Sequence, residues 1–63
     1  MNLSENEFFR NYQISVAGVL VLKFSYNRDA IKTLFAEFPR LIEEHYNASK
    51  TTEDCADAMV WRT

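Results

Sequence analysis

The sequence contains only one cysteine, one histidine, one proline and one glycine among its 63 residues. Because Cys55 has no second cysteine to pair with, an internal disulfide is excluded. Cys55 and His45 together cannot supply the four ligands of a structural zinc site, so we expect neither a metal nor a cofactor. A single free thiol is typical of proteins in the reducing cytosol, and we therefore expect a cytoplasmic location.

The chain also lacks an excess of basic residues and a long apolar run. Seven lysines and arginines stand against nine aspartates and glutamates, which gives a net charge of −2 with mixed signs. Nucleic-acid binding, which is typical of clustered basic residues, is not favoured. The longest apolar run, 16–22, is far shorter than the roughly 20 residues that span a bilayer. The N-terminus shows no secretory pattern, and no membrane association is expected.

No group of residues points to catalysis. His45 follows Glu43 and Glu44, but no nucleophile or second base lies at a useful distance along the chain. A chain of this size also has little room for a sheltered pocket. We expect that the protein is not an enzyme and that it has no catalytic residues.

Residues 12–26, YQISVAGVLVLKFSY, must be buried in any fold and have two interpretations. Their β-branched content is typical of a strand. A capping box of Ser4 and Glu7 and apolar residues at helical spacing instead predict a helix from about Glu5 to about Leu22. Gly18 inside that helix would cost about 1 kcal/mol relative to alanine. The alternative is a short strand or hairpin within 12–26.

The remaining sequence predicts further helices. Asn27 is a suitable N-cap, and apolar residues recur at helical spacing over 28–47. Pro39 must either kink this helix or begin a new one, and the unbroken phase of the apolar face favours the kink. After a polar connector, Thr51 or Thr52 can cap a last helix that runs to about Trp61.

These patterns predict an all-α fold in which residues 1–63 form a single small domain of three to four helices. The alternative is an α/β fold in which a short strand or hairpin at 12–26 precedes two helices. So short a chain buries only about 60% of its unfolded surface, and 48% of its residues are hydrophobic. Homodimerisation would complete such a core, and we expect a dimer.

Nine aromatic residues are more than one tiny core needs. Tryptophan and tyrosine lead among residues that anchor interfaces, so Trp61 and Tyr46 are the foremost candidates. Glu53, Asp54 and Asp57 form a candidate acidic contact patch in the last helix. The candidate interface residues are Phe8, Phe9, Tyr12, Leu20, Phe35, Phe38, Tyr46 and Trp61.

The absence of catalytic and metal-binding patterns favours a small regulatory protein that acts by protein–protein contact. In its small size, acidic balance and aromatic content the chain resembles the accessory early proteins of temperate, lambda-like phages. That resemblance implies a helical modulator of host or phage development.

The alternative is a DNA-binding regulator. The stretch EHYNASKTTEDCADAM resembles the turn and second helix of the ribbon-helix-helix family. This resemblance implies a strand over 19–25 whose exposed face reads bases. The two alternating sets of side chains along 12–26 offer only Ser15, Lys23 and Ser25 for that purpose.

Overall fold

The computed structural model describes the backbone of residues 3–62 and the side chains of residues 7–62. Within them the chain forms four helices and no strand: α1 (Leu3–Phe24), α2 (Arg28–Glu37), α3 (Pro39–Asn47) and α4 (Thr52–Trp61). The all-α prediction is confirmed. The α/β alternative, with a strand or hairpin at 12–26, is wrong, because residues 12–24 belong to α1. The strand over 19–25 that the ribbon-helix-helix resemblance implies is wrong for the same reason. The Ser4 side chain of the predicted capping box lies outside the described side chains.

The helix α1 ends at a serine in the left-handed region. Ser25 has a φ of 58°, and its backbone N–H donates to the carbonyl of Val21 at 3.1 Å. The next N–H, that of Tyr26, donates to the carbonyl of Leu20 at 3.0 Å. These bonds satisfy carbonyls that the helix end leaves without partners, and they turn the chain toward α2.

Two short helices occupy the stretch around Pro39. The side chain of Asn27 caps α2 by accepting from the N–H of Ala30 at 2.8 Å. Phe38, with φ −124° and ψ 48°, leaves the helical conformation, and Pro39 is the first residue of α3. The expectation of one kinked helix over 28–47 is therefore wrong. Proline lacks an N–H and clashes with the preceding turn, so it interrupts a helix but suits a first position.

A tight reversal connects α3 to α4. Ser49 has a φ of 58°, and the N–H of Lys50 donates to the carbonyl of His45 at 2.9 Å. The N–H of Ser49 donates to the carbonyl of Tyr46 at 3.1 Å, which completes a Schellman motif. Thr51 then caps α4, since its Oγ1 accepts from the N–H of Asp54 at 3.1 Å.

The core lies where α1 packs along α4, and α3 packs against both helices. Tyr12 contacts the start of α4 and Lys23 contacts its middle, so the two helices run in roughly the same direction. The phenolic O–H of Tyr12 also bonds backbone carbonyls just before α4, which fixes the register of the pair. The buried residues form one cluster of Val16, Leu20, Leu34, Leu41, Ile42, Cys55, Ala56 and Met59.

We predict that Thr51→Ala lowers the free energy of unfolding by about 1 kcal/mol, because it removes the cap of α4. Thr52→Ala is the matched control, since Thr52 is the first residue of the helix and makes no cap. Urea denaturation followed by circular dichroism measures both. Equal losses in the two variants would contradict the cap assignment.

Candidate protein-binding surfaces

Most of the predicted interface residues belong to the protein's own packing. Phe9 and Tyr12 are half-buried against Tyr46, with ring centroids 5.0 and 5.3 Å from it in edge-on geometry. Phe35 and Phe38 are half-buried against the core, and Leu20 is fully buried within it. Leu20 is thus out of reach of a partner. Only Phe8 and Trp61 of the eight are exposed.

Tyr12 is a structural residue with a shifted ionisation. Its hydroxyl donates to the carbonyls of Lys50 and Thr51 at 3.0 and 3.2 Å. Burial, followed by the neighbouring Cys55 thiol, raises the pKa of Tyr12 to about 12. Burial also raises the pKa of Cys55. Both groups are therefore held in their neutral forms at physiological pH, which suits packing and not reactivity.

A groove of about 520 Å³ opens where the C-terminal ends of α1 and α4 meet. We call it the α1–α4 groove. Phe24 and Val60 contribute its apolar surface, and Lys23 and Asp57 stand at its polar edge. Trp61 lines it too, yet 86% of Trp61 remains exposed. Sequence reasoning named Trp61 but missed Phe24 and Val60, because only the fold brings the two helix ends together.

The acidic patch adjoins this groove. The ammonium group of Lys23 lies 3.1 Å from Oδ1 of Asp57 and 4.0 Å from Oε1 of Glu53. Asp54 is also exposed, next to the cap of α4. Glu53 and Asp57 thus share one ammonium group, and with Asp54 counted the patch keeps two negative charges in excess. Lys23 is separated from these residues by at least 30 positions, so the sequence offered no sign of the pairing.

A second apolar surface lies on the side of α1 away from the core. Ile14, Val21 and Leu22 are 61%, 48% and 88% exposed, and Gly18 lies among them. We call these four residues the outer face of α1. The expectation that any fold buries residues 12–26 is therefore wrong for this side of α1. None of the four was a predicted site residue.

The remaining candidate, His45, is bonded within its own helix. Its Nδ1–H donates to the carbonyl of Leu41 at 2.8 Å. No group of three or more potential metal-binding side chains occurs in the described part of the chain. Among the same residues, no helix combines the length and hydropathy needed to cross a membrane.

Comparison with protein-family models, with curated proteins and with solved structures finds no match.

We predict that Tyr12→Phe lowers stability by roughly 1 kcal/mol near neutral pH, through loss of the hydrogen bonds to the Lys50 and Thr51 carbonyls. The difference between wild type and variant should shrink as the pH rises from 10 to about 12. In that range the unfolded phenol ionises while the folded one stays neutral, so wild type alone loses this stability. Urea denaturation at a series of pH values measures the difference. A difference that stays constant to pH 12 would contradict the raised pKa of Tyr12.

Proposed function

We propose that the protein is a non-enzymatic regulator that acts by protein–protein contact, with the α1–α4 groove as its docking site. The observation that carries the proposal is the exposure of Trp61, 86% of which faces solvent beside an apolar groove. Tryptophan is the residue most enriched among those that dominate binding energy. Leaving it exposed forgoes a large hydrophobic gain that a partner would recover.

The surroundings of the groove match the anatomy of a protein interface. Its centre is apolar, through Phe24, Val60 and Trp61, and its edge carries the charged pair Lys23 and Asp57. An apolar centre with a polar rim is the usual arrangement at such contacts. This supports a protein ligand over a small polar metabolite.

The charge beside the groove defines the chemistry of the partner. Glu53, Asp54 and Asp57 carry two negative charges beyond what Lys23 neutralises. A partner surface that presents an apolar side chain flanked by lysine or arginine complements them. Complementary charge raises the rate of association and excludes acidic competitors.

We also propose that the functional form is a homodimer. On the outer face of α1, Ile14, Val21 and Leu22 together expose about two full side chains per protomer. A dimer that buries this surface on both protomers would bury the equivalent of four full side chains, which would gain roughly 6–12 kcal/mol. Association itself costs about 4–15 kcal/mol, so the dimer would be weak and sensitive to single substitutions.

The biological setting belongs to the proposal as well. The resemblance in size, acidity and aromatic content to early accessory proteins of lambda-like phages supports a modulator of host or phage development. A single thiol, buried as Cys55, is compatible with the cytoplasm as its place of action.

The proposal is tested by following Trp61 fluorescence, because Trp61 is the only tryptophan. A short amphipathic peptide of leucine and lysine is the probe, and a leucine–glutamate peptide is the control. We expect a blue shift with the basic peptide alone, weakened by added salt. The absence of a shift with the basic peptide, or an equal shift with both, would contradict the proposed docking site.

Two variants make this experiment specific to the groove. Asp57→Asn should weaken binding of the basic peptide several-fold, since it lowers the excess beside the groove from two negative charges to one. Asp29→Asn, in the exposed first turn of α2, removes the same charge elsewhere and should leave binding within about twofold of wild type. Equal effects of the two variants would point to net charge and not to the groove.

A further inference from the structure

The outer face of α1 is an exposed apolar surface on a long helix. We propose that two protomers associate through this face with their α1 helices antiparallel and crossing at Gly18. The inference rests on the proposed homodimer and specifies its surface, orientation and centre.

The four residues share one side of the helix. At about 100° per residue, Ile14, Gly18, Val21 and Leu22 fall within an arc of about 100°. The opposite side carries the fully buried Val16 and Leu20. Residues 11–22 include no charged side chain, and depletion of charge is the mark of an interface centre.

Gly18 indicates that the backbone of a second helix packs closely against this face. A glycine within a helix is destabilising relative to alanine, yet a Cβ built on Gly18 meets nothing within 4 Å. Packing inside the protomer therefore gives no reason for a glycine at this position. A second helix crossing at Gly18 gives one, because the missing side chain lets two helix axes approach closely.

The arrangement of side chains about Gly18 is self-complementary. Ile14 and Leu22 stand four residues to either side, so an antiparallel crossing places Ile14 of each protomer against Leu22 of the other. At the two ends of the contact, Asn11 of each protomer lies against Ser25 of the other, and both residues are exposed and polar. A two-fold interface requires this reciprocity, in which residue i contacts j and j contacts i.

A membrane surface fits this face less well. Helices that lie on membranes carry lysine and arginine along the flanks of their apolar face. Here the only cationic residues of α1 among the described side chains are Arg10 and Lys23, near its ends, and Lys23 is engaged with Asp57.

The apolar area of the outer face of α1 is modest beside the roughly 800 Å² per partner of a standard interface, so we expect the dimer to have a dissociation constant in the micromolar range or weaker.

The test is sedimentation equilibrium of the full chain from micromolar to millimolar concentration. We expect the mass to rise from the 7.4 kDa of one chain toward twice that value. Gly18→Ala should raise the dissociation constant at least about tenfold by forcing the helices apart, while raising the thermal midpoint of the dilute protein. Gly18→Leu should abolish association, whereas Ala36→Leu, on an exposed position of α2, should leave it unchanged.

Orientation is tested by cross-linking with copper-phenanthroline, which oxidises two thiols to a disulfide. In an antiparallel pair the two copies of residue 14 lie about 12 Å apart along the helix, beyond disulfide reach. Ile14→Cys alone should therefore stay uncrosslinked, and a mixture of Ile14→Cys with Leu22→Cys should form a disulfide-linked dimer. The unmodified chain controls for Cys55, which is buried. Efficient cross-linking of Ile14→Cys with itself would overturn the antiparallel arrangement.

Three further outcomes would overturn the proposal. The first is a protein that stays at the mass of one chain to millimolar concentration. The second is association that Gly18→Leu leaves intact. The third is binding to phosphatidylcholine–phosphatidylglycerol vesicles that Leu22→Glu abolishes, which would assign the face to a membrane surface. Titration of Leu22→Glu with the basic peptide separates the two proposals, because docking at the α1–α4 groove should survive loss of the dimer.

Discussion

The packing of α1 against α4 is the contact on which the rest of the structure depends. Val16 and Leu20 from α1 and Cys55, Ala56 and Met59 from α4 are all fully buried. A ten-residue helix such as α4 is not stable alone in water, so its place is set by this contact. The small side chains of Cys55 and Ala56 allow the two helices to come close. The hydroxyl of Tyr12 fixes the position along α1 at which α4 begins.

Both proposed binding surfaces are consequences of that packing. Because the α1–α4 contact uses one side of α1, the opposite side, with Ile14, Val21 and Leu22, is left to solvent. Because the helices run in roughly the same direction, their C-terminal ends meet, and Phe24 and Trp61 line a common groove there. The same alignment brings Lys23 to the acidic residues of α4. One contact thus leaves two separate apolar surfaces with different electrostatic surroundings.

Local signals made most of the helices predictable. The expected first helix, from about Glu5 to about Leu22, matches α1 within two residues at each end, and Asn27 and Thr51 cap α2 and α4. Pro39 was ambiguous, because the apolar period continues through it while its ring interrupts the helix. The strand alternative was plausible because α1 is apolar around most of its circumference.

The candidate surfaces were less predictable, because they depend on contacts between distant parts of the chain. From the sequence, Trp61 could either close the core or stand outside it. It is exposed because of where the end of α4 lies against α1. Leu20 has the same chemistry as Leu22 and lies two positions away, yet one is buried and the other is 88% exposed. Nothing in the sequence marks Lys23 as the basic residue that pairs with the acidic patch. Its role follows from the register of the two helices.

The most direct test is a dilution series of backbone NMR spectra of the full chain. We predict helical chemical shifts through residues 19–24 at every concentration. The amide signals of Ile14, Gly18 and Leu22 should move on dilution, while those of Val16 and Leu20 should move much less. Extended shifts over residues 19–24 would contradict the fold. Signals on the outer face of α1 that do not change with concentration would contradict its role as the surface between two copies.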